Sequence, residues 1–127
     1  MSAARIDIVC EQGADLAVTL VWQGPDSPVD LTGYQARMQV KAGYGDAQPL
    51  LEFTDGNGRI ELGGAEGTVT LKLTAAETGA LEVPLPEGPP RIPPRICHVY
   101  DLELVAPGGT VTRMAFGLFT VTAGVTT

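Results

Sequence analysis

A chain of 127 residues, 44% of them hydrophobic, is long enough for one core, too short for two comfortable ones, and too apolar for a disordered polymer. Eight scattered basic residues against fifteen acidic ones give a net charge of −7, which argues against nucleic acid or an anionic membrane as partner, since both demand clustered cations. Sixteen glycines and ten prolines call for many turns, and plentiful Thr and Val suit a pleated surface, so the composition leans all-β.

The opening "MSAARIDIVCEQGADL" has no charged region followed by a long apolar run, and no stretch approaches the ~18 consecutive apolar residues of a membrane span. The expectation is a soluble protein made in the cytoplasm. "RIDIVC" alternates loosely. After the turn "EQG", Leu16, Val18, Leu20 and Trp22 share one face of a strand. "QGPDSP" is a turn cluster. "VDLTGY" leads into the cleanest strand, where Tyr34, Ala36, Met38 and Val40 point one way and Gln35, Arg37, Gln39 and Lys41 the other. That alternation places one face on a core and the other in water.

"GYGDAQ" is a further turn, and "PLLEF" a short strand with Leu51 and Phe53 on one side. "TDGNGRIEL" carries Asp-Gly and Asn-Gly, which predict a hairpin because primed turns need positive φ. "RIEL" and "TVTLKL" flank "GGAEG", with Ile60, Leu62, Val69, Leu71 and Leu73 as inward candidates. Thr74 followed by Glu77 is a capping box, predicting one or two helical turns ended by Gly79 that plug one end of a sandwich. "ICHVYDLELV" and "TVTRMAFGLFTVT" flank "APGG" as a long hairpin, Tyr100, Leu102 and Leu104 inward and Asp101 and Glu103 outward. Six to eight short strands with turns between them describe an antiparallel β-sandwich or a small barrel.

Between the helical turn and the final hairpin lies "VPLPEGPPRIPPR", residues 83–95, with six of the ten prolines. Both flanks belong to one sheet-building pattern, so the stretch is no interdomain linker and residues 1–127 form a single domain. Proline favours a stiff polyproline II arm. Three readings are open: a surface loop that avoids strand pairing, an arm contacting another subunit, or an SH3 ligand through Pro86-to-Pro89 or Pro90-to-Pro93.

Residues for chemistry are sparse. His98 is the only histidine, and its neighbour Cys97 points to the opposite face of a strand, so the two form no dyad. Asp101 and Glu103 share a face but are read as solvated, without the burial that raises a carboxyl pKa. "DGNGRIE" departs from a calcium loop at Arg59, and the glycine-rich stretches lack the Lys of a phosphate loop. The two cysteines, Cys10 and Cys97, form no Cys-x-x-Cys pair and indicate no zinc site. Whether they form a disulfide stays open, because Cα spacing decides it. The expectation is a protein that is not an enzyme and needs no cofactor or metal.

The last strand stands out. Val111, Phe119 and Val121 have one parity, and Met114, Phe116 and Leu118 the other, so both faces are apolar. Either the outer face is covered by the proline arm or another chain, or a bulge at Gly117 turns Phe116 and Phe119 both inward.

"VDLTGY" before the alternating strand, "GTVTLKLTAAET" and "YDLELVAPGGTVTR" resemble a family of small tailed-bacteriophage proteins, similar to the N-terminal domain of the upper baseplate protein family. The resemblance spans nearly the whole chain; residues 83–95 are an insertion relative to it. It implies an immunoglobulin-like β-sandwich in the virion, in several copies around the tail axis, contacting tail, baseplate or fibre subunits and bringing no catalytic residues. The expected role is a structural tail or baseplate adaptor that helps attach fibres or receptor-binding components, with Pro89, Pro90, Arg91, Ile92 and Pro93 of the arm and Phe116 and Leu118 of the last strand as contacts. Alternatives are a head decoration or head–tail joining protein, and a carbohydrate- or host-surface-binding module for which Tyr44 is the main exposed aromatic.

Overall fold

The computed structural model describes residues 3–45, 48–84 and 94–125. Two sheets are built from strands β1 (Ala4–Arg5), β2 (Ile8–Glu11), β3 (Leu16–Val21), β4 (Gln35–Lys41), β5 (Leu51–Thr54), β6 (Ile60–Leu62), β7 (Thr68–Leu73), β8 (Arg95–Val105) and β9 (Val111–Thr122). The larger sheet runs β1-β9-β8-β4-β5, with β2 also on β9; the smaller runs β3-β7-β6. This all-β two-sheet order, with one short helix α1 (Ala75–Gly79) and a 3-10 turn (Gly64–Glu66), is that of an immunoglobulin-like sandwich.

The inner faces follow the period of two. Ala36, Met38 and Val40 of β4, Leu51 and Phe53 of β5, and Tyr100, Leu102 and Leu104 of β8 are buried. Val69, Leu71 and Leu73 of β7 meet them from the smaller sheet, with Ile60 beside them. Phe53 and Phe119 meet edge-on at 6.3 Å, and Trp22 meets Tyr34 at the same separation. "VDLTGY" holds its turn locally: the Asp30 carboxylate accepts bonds from the Thr32 N–H and hydroxyl, while Leu31 drops into the core.

Two expectations need correction. The sandwich is not purely antiparallel, because β1 and β2 both pair parallel with β9. The Asp-Gly-Asn-Gly segment closes no hairpin. β5 pairs β4 in the larger sheet, whereas β6 pairs β7 in the smaller, so this turn carries the chain across the sandwich. Asn57 builds it: its Oδ1 accepts from the Thr54 and Arg59 N–H groups, and its Nδ2 donates to the Glu52 carbonyl. Gly58 follows at φ +80°, a conformation only glycine adopts cheaply. The helix ends at Gly79, as expected, and Ala80 caps it in a right-handed conformation.

The capping box is present as expected: Thr74 Oγ1 accepts from the Glu77 N–H, and Glu77 Oε1 from the Thr74 N–H. Buried Thr78 fastens α1 to the β2–β3 turn, donating to the Ala14 carbonyl and accepting from the Gly13 N–H.

Candidate interaction surface

The outer face of the larger sheet divides into an apolar half and a charged half. On β9, Phe116 and Leu118 point outward and are half-buried. Leu118 lies opposite Val99 of β8, and Phe116 opposite Asp101. Val9 of β2, 59% exposed, extends the apolar band beyond Thr120. The charged half holds two ion pairs, Arg37 Nε to Glu103 Oε1 at 2.8 Å and Arg113 Nη2 to Asp101 Oδ2 at 3.3 Å. Asp101 and Glu103 thus point outward as expected, each held by an arginine.

A bulge decides which side chains of β9 face out, and it is not at Gly117. The β8–β9 register shifts between Leu102 and Glu103: Leu102 pairs Ala115, Glu103 pairs Arg113, and Met114 is the extra residue. Consecutive Met114 and Ala115 are therefore both buried, and the parity changes there. Beyond the bulge Phe119 and Val121 point inward, while Phe116 and Leu118 point outward. The alternative with both phenylalanines inward is excluded.

Gly117 has another task. A Cβ there would collide with the Ile6 carbonyl and lie 2.8 Å from Asp7 Oδ1. The break between β1 and β2 runs alongside β9 at this point. The Ile6 N–H donates to the Phe116 carbonyl at 2.8 Å, and Asp7 Oδ1 accepts from the Leu118 N–H at 3.0 Å. That backbone donor, with help from Arg5, holds the Asp7 carboxyl below the usual range against the opposing effect of burial.

Phe116 and Leu118 are brought together on this face. Pro89, Pro90, Arg91, Ile92 and Pro93 lie outside the described residues, as do the Pro86-to-Pro89 and Pro90-to-Pro93 motifs. Val9 and Val99 complete the band. Only Val99 carried a signal in the sequence, as an apolar residue at an outward position of "HVYDLE".

The remaining reactive groups are dispersed. Cys10 is buried inward on β2 and Cys97 is exposed on β8; both are free thiols. Their side chains lie on opposite faces of one sheet with β9 between them, which settles the disulfide question. Burial pushes the Cys10 thiol up to about 11. Cys97 Sγ lies 3.4 Å from Thr120 Oγ1. His98 is buried opposite Phe119, and burial lowers its pKa. Among the described residues no group of three His, Cys, Asp or Glu side chains is placed to hold a metal, and no helix is long and apolar enough to cross a membrane.

Beside the apolar band the sheet is shallowly concave. A depression of about 310 Å³ is lined by Arg37, Gln39, Glu52 and Glu103, and another of about 300 Å³ by Gln39, Lys41, Tyr44 and Val99. Tyr44, 81% exposed, stands at the rim of the second.

No protein family and no curated protein matches the chain. Its similarity is to solved structures. One is the structure of murine CRIg, 11% identical, with a TM-score of 0.42 over 94% of this chain and 92% of that one. A likeness at that level carries neither family nor function.

Proposed function

We propose that the protein is a structural component of a tailed-phage virion: an adaptor in the tail or baseplate, present in several copies, that docks tail, baseplate or fibre subunits. The resemblance of "VDLTGY", "GTVTLKLTAAET" and "YDLELVAPGGTVTR" to the phage family supports this role. One structural observation carries it further. Val99, Phe116 and Leu118, with Val9 beside Thr120, place apolar side chains on a sheet face that would otherwise meet water, bordered by ion pairs. An apolar centre with a charged rim is the anatomy of a protein–protein contact. The proline-rich stretch 83–95, which leads into β8 in the sequence, is a second proposed contact. Localising the tagged chain in purified particles tests the role. Density at the tail tip supports the adaptor, density on the capsid or neck supports a head decoration or joining protein instead, and normal assembly and infection without the chain overturns both.

A second role is favoured by one observation, the exposed ring of Tyr44 beside a depression lined by Gln39, Lys41 and Val99. Polar side chains beside an exposed aromatic suit a carbohydrate on a host surface. A glycan-array screen of wild type and Tyr44→Ala tests it: hits lost in the variant support carbohydrate binding, and an empty array rejects it.

A further inference from the structure

We infer that the free edge of β3 is a docking site for an extended apolar segment of another chain, which adds as a fourth strand to the smaller sheet. The hydrogen-bond phase makes the edge available. Trp22 donates to the Gly67 carbonyl at 2.9 Å, and the register continues through Leu20 opposite Val69 and Val18 opposite Leu71. Even-numbered positions of β3 therefore exchange both bonds with β7. The N–H and C=O groups of Ala17, Thr19 and Val21 point away from β7, and none has a backbone partner among the described residues.

The other edges are guarded. β6 is three residues long and carries Glu61 outward, where it pairs with Lys72. β5 is four residues, with Glu52 outward and Pro49 just before it. β1 and β2 are broken at Ile6–Asp7 and carry Arg5 and Glu11, with Asp7 in the break. The six-residue β3 presents only Ala17, Thr19 and Val21, all exposed and uncharged. An edge without charge, proline or bulge is open to strand addition.

A second feature points to what fits there. Because the N-terminal strands join β9 and not β3, the sandwich is open along this side. A cleft of about 250 Å³ lies between the sheets, lined by Ile6, Leu20, Trp22 and Met114, with Gln23 and Arg113 also in its wall. It is smaller than the ~300–1,000 Å³ of small-molecule sites. A strand bonded to β3 would project alternate side chains into it. The partner is therefore an extended segment with aliphatic residues at every second position and N–H groups free to pair, not a proline-rich one. This inference does not depend on the virion role.

The test is amide exchange and chemical-shift mapping by NMR, with a capped seven-residue peptide of alternating Val and Thr as probe. The amides of Ala17, Thr19 and Val21 should exchange fast in the protein alone. Adding peptide should slow them and shift them together with the Trp22 indole. Slow exchange of the three before peptide is added overturns the inference, as do shifts confined to β5 or β6, or none at millimolar peptide. Thr19→Pro removes an edge donor and the Thr19–Thr70 hydroxyl contact but leaves the backbone bonds to β7 in place, and should abolish the response in a folded protein; a folded variant that still responds also overturns it. If Thr19→Pro does not fold, the double variant Ala17→Lys, Val21→Lys is judged by the same criterion.

Discussion

The Tyr100 hydroxyl donates a hydrogen bond to the Ile6 carbonyl, passing beneath β9 at Gly117, where a side chain would collide with that carbonyl. The bond spans the two elements that flank β9 and ties the first strands to the sheet they join in parallel. Tyr100→Phe keeps the buried ring and leaves the Ile6 carbonyl without its donor. The expected cost is about 1–3 kcal/mol, read as a lower urea midpoint with unchanged slope. Burial, with a smaller contribution from the Asp7 carboxylate, pushes the Tyr100 hydroxyl up to about 12. The folded state thus keeps a proton that the unfolded chain releases near pH ~10. This contribution is fully present below that pH and is lost as pH rises through about 12. Tyr100→Phe should show a shallower alkaline loss than wild type.

Gly117→Ala tests this contact from the other side. The new methyl group meets the Ile6 carbonyl and Asp7 Oδ1, and neither can move without breaking the bonds that pin Ile6 to Phe116 and Asp7 to Leu118. Overpacking of this kind costs about 1–3 kcal/mol. Release of the N-terminal strand should appear as faster amide exchange at Ile8–Glu11, with the β4–β8 amides unchanged. Uniform protection in the variant would show that the contact has slack.

Strands with one wet face and one dry face were legible before any coordinates. β4 and β8 alternate because each side chain answers only to its own side of the sheet. The capping box was legible too, since Thr74 and Glu77 satisfy each other within one turn. What failed was non-local. Asp-Gly and Asn-Gly announce a turn, but whether β6 returns to β5 or crosses to β7 is decided by residues elsewhere in the chain. The bulge behaves likewise: nothing within "RMAFG" says that Met114 is the extra residue, because a bulge is defined by the partner strand's register. Of the candidate contact surface, Phe116 and Leu118 were visible as a second apolar parity. Val9 was not, because its place beside β9 follows from a parallel pairing that a loosely alternating segment does not announce.

His98 gives the fold an acid sensitivity of its own. It is the sole histidine, buried opposite Phe119, with Nδ1 lacking a partner among the described residues. Burial lowers its pKa, so below pH ~6.5 the unfolded chain takes up a proton that the folded protein resists. Stability should therefore decline as pH falls from about 6.5 towards 5, above the range where the lowered carboxyls of Asp7, Asp30 and Glu77 titrate. Replacing the imidazole by an apolar group of similar size removes the orphaned nitrogen and should be nearly neutral or stabilising at pH 7. Urea midpoints of His98→Leu should be flat across that window. A wild-type curve equally flat would place the histidine in contact with solvent.

The parity of β9 predicts opposite outcomes for two phenylalanines three residues apart. Phe119 is fully buried and packs edge-on against Phe53. Phe119→Ala should cost about 3–5 kcal/mol, a large share of the roughly 5–15 kcal/mol available to a domain. Phe116 lies on the outer face opposite Asp101, half in contact with water. Its truncation should cost about 1 kcal/mol or less, because little area is lost from a dry environment. Equal losses would place the bulge at Gly117 after all and turn both rings inward. The same pair separates stability from docking: Phe116→Lys should leave the urea midpoint near wild type yet reduce incorporation into particles, since a charge at the centre of an apolar contact must be desolvated on assembly. Normal incorporation of folded Phe116→Lys would move the proposed contact off this face.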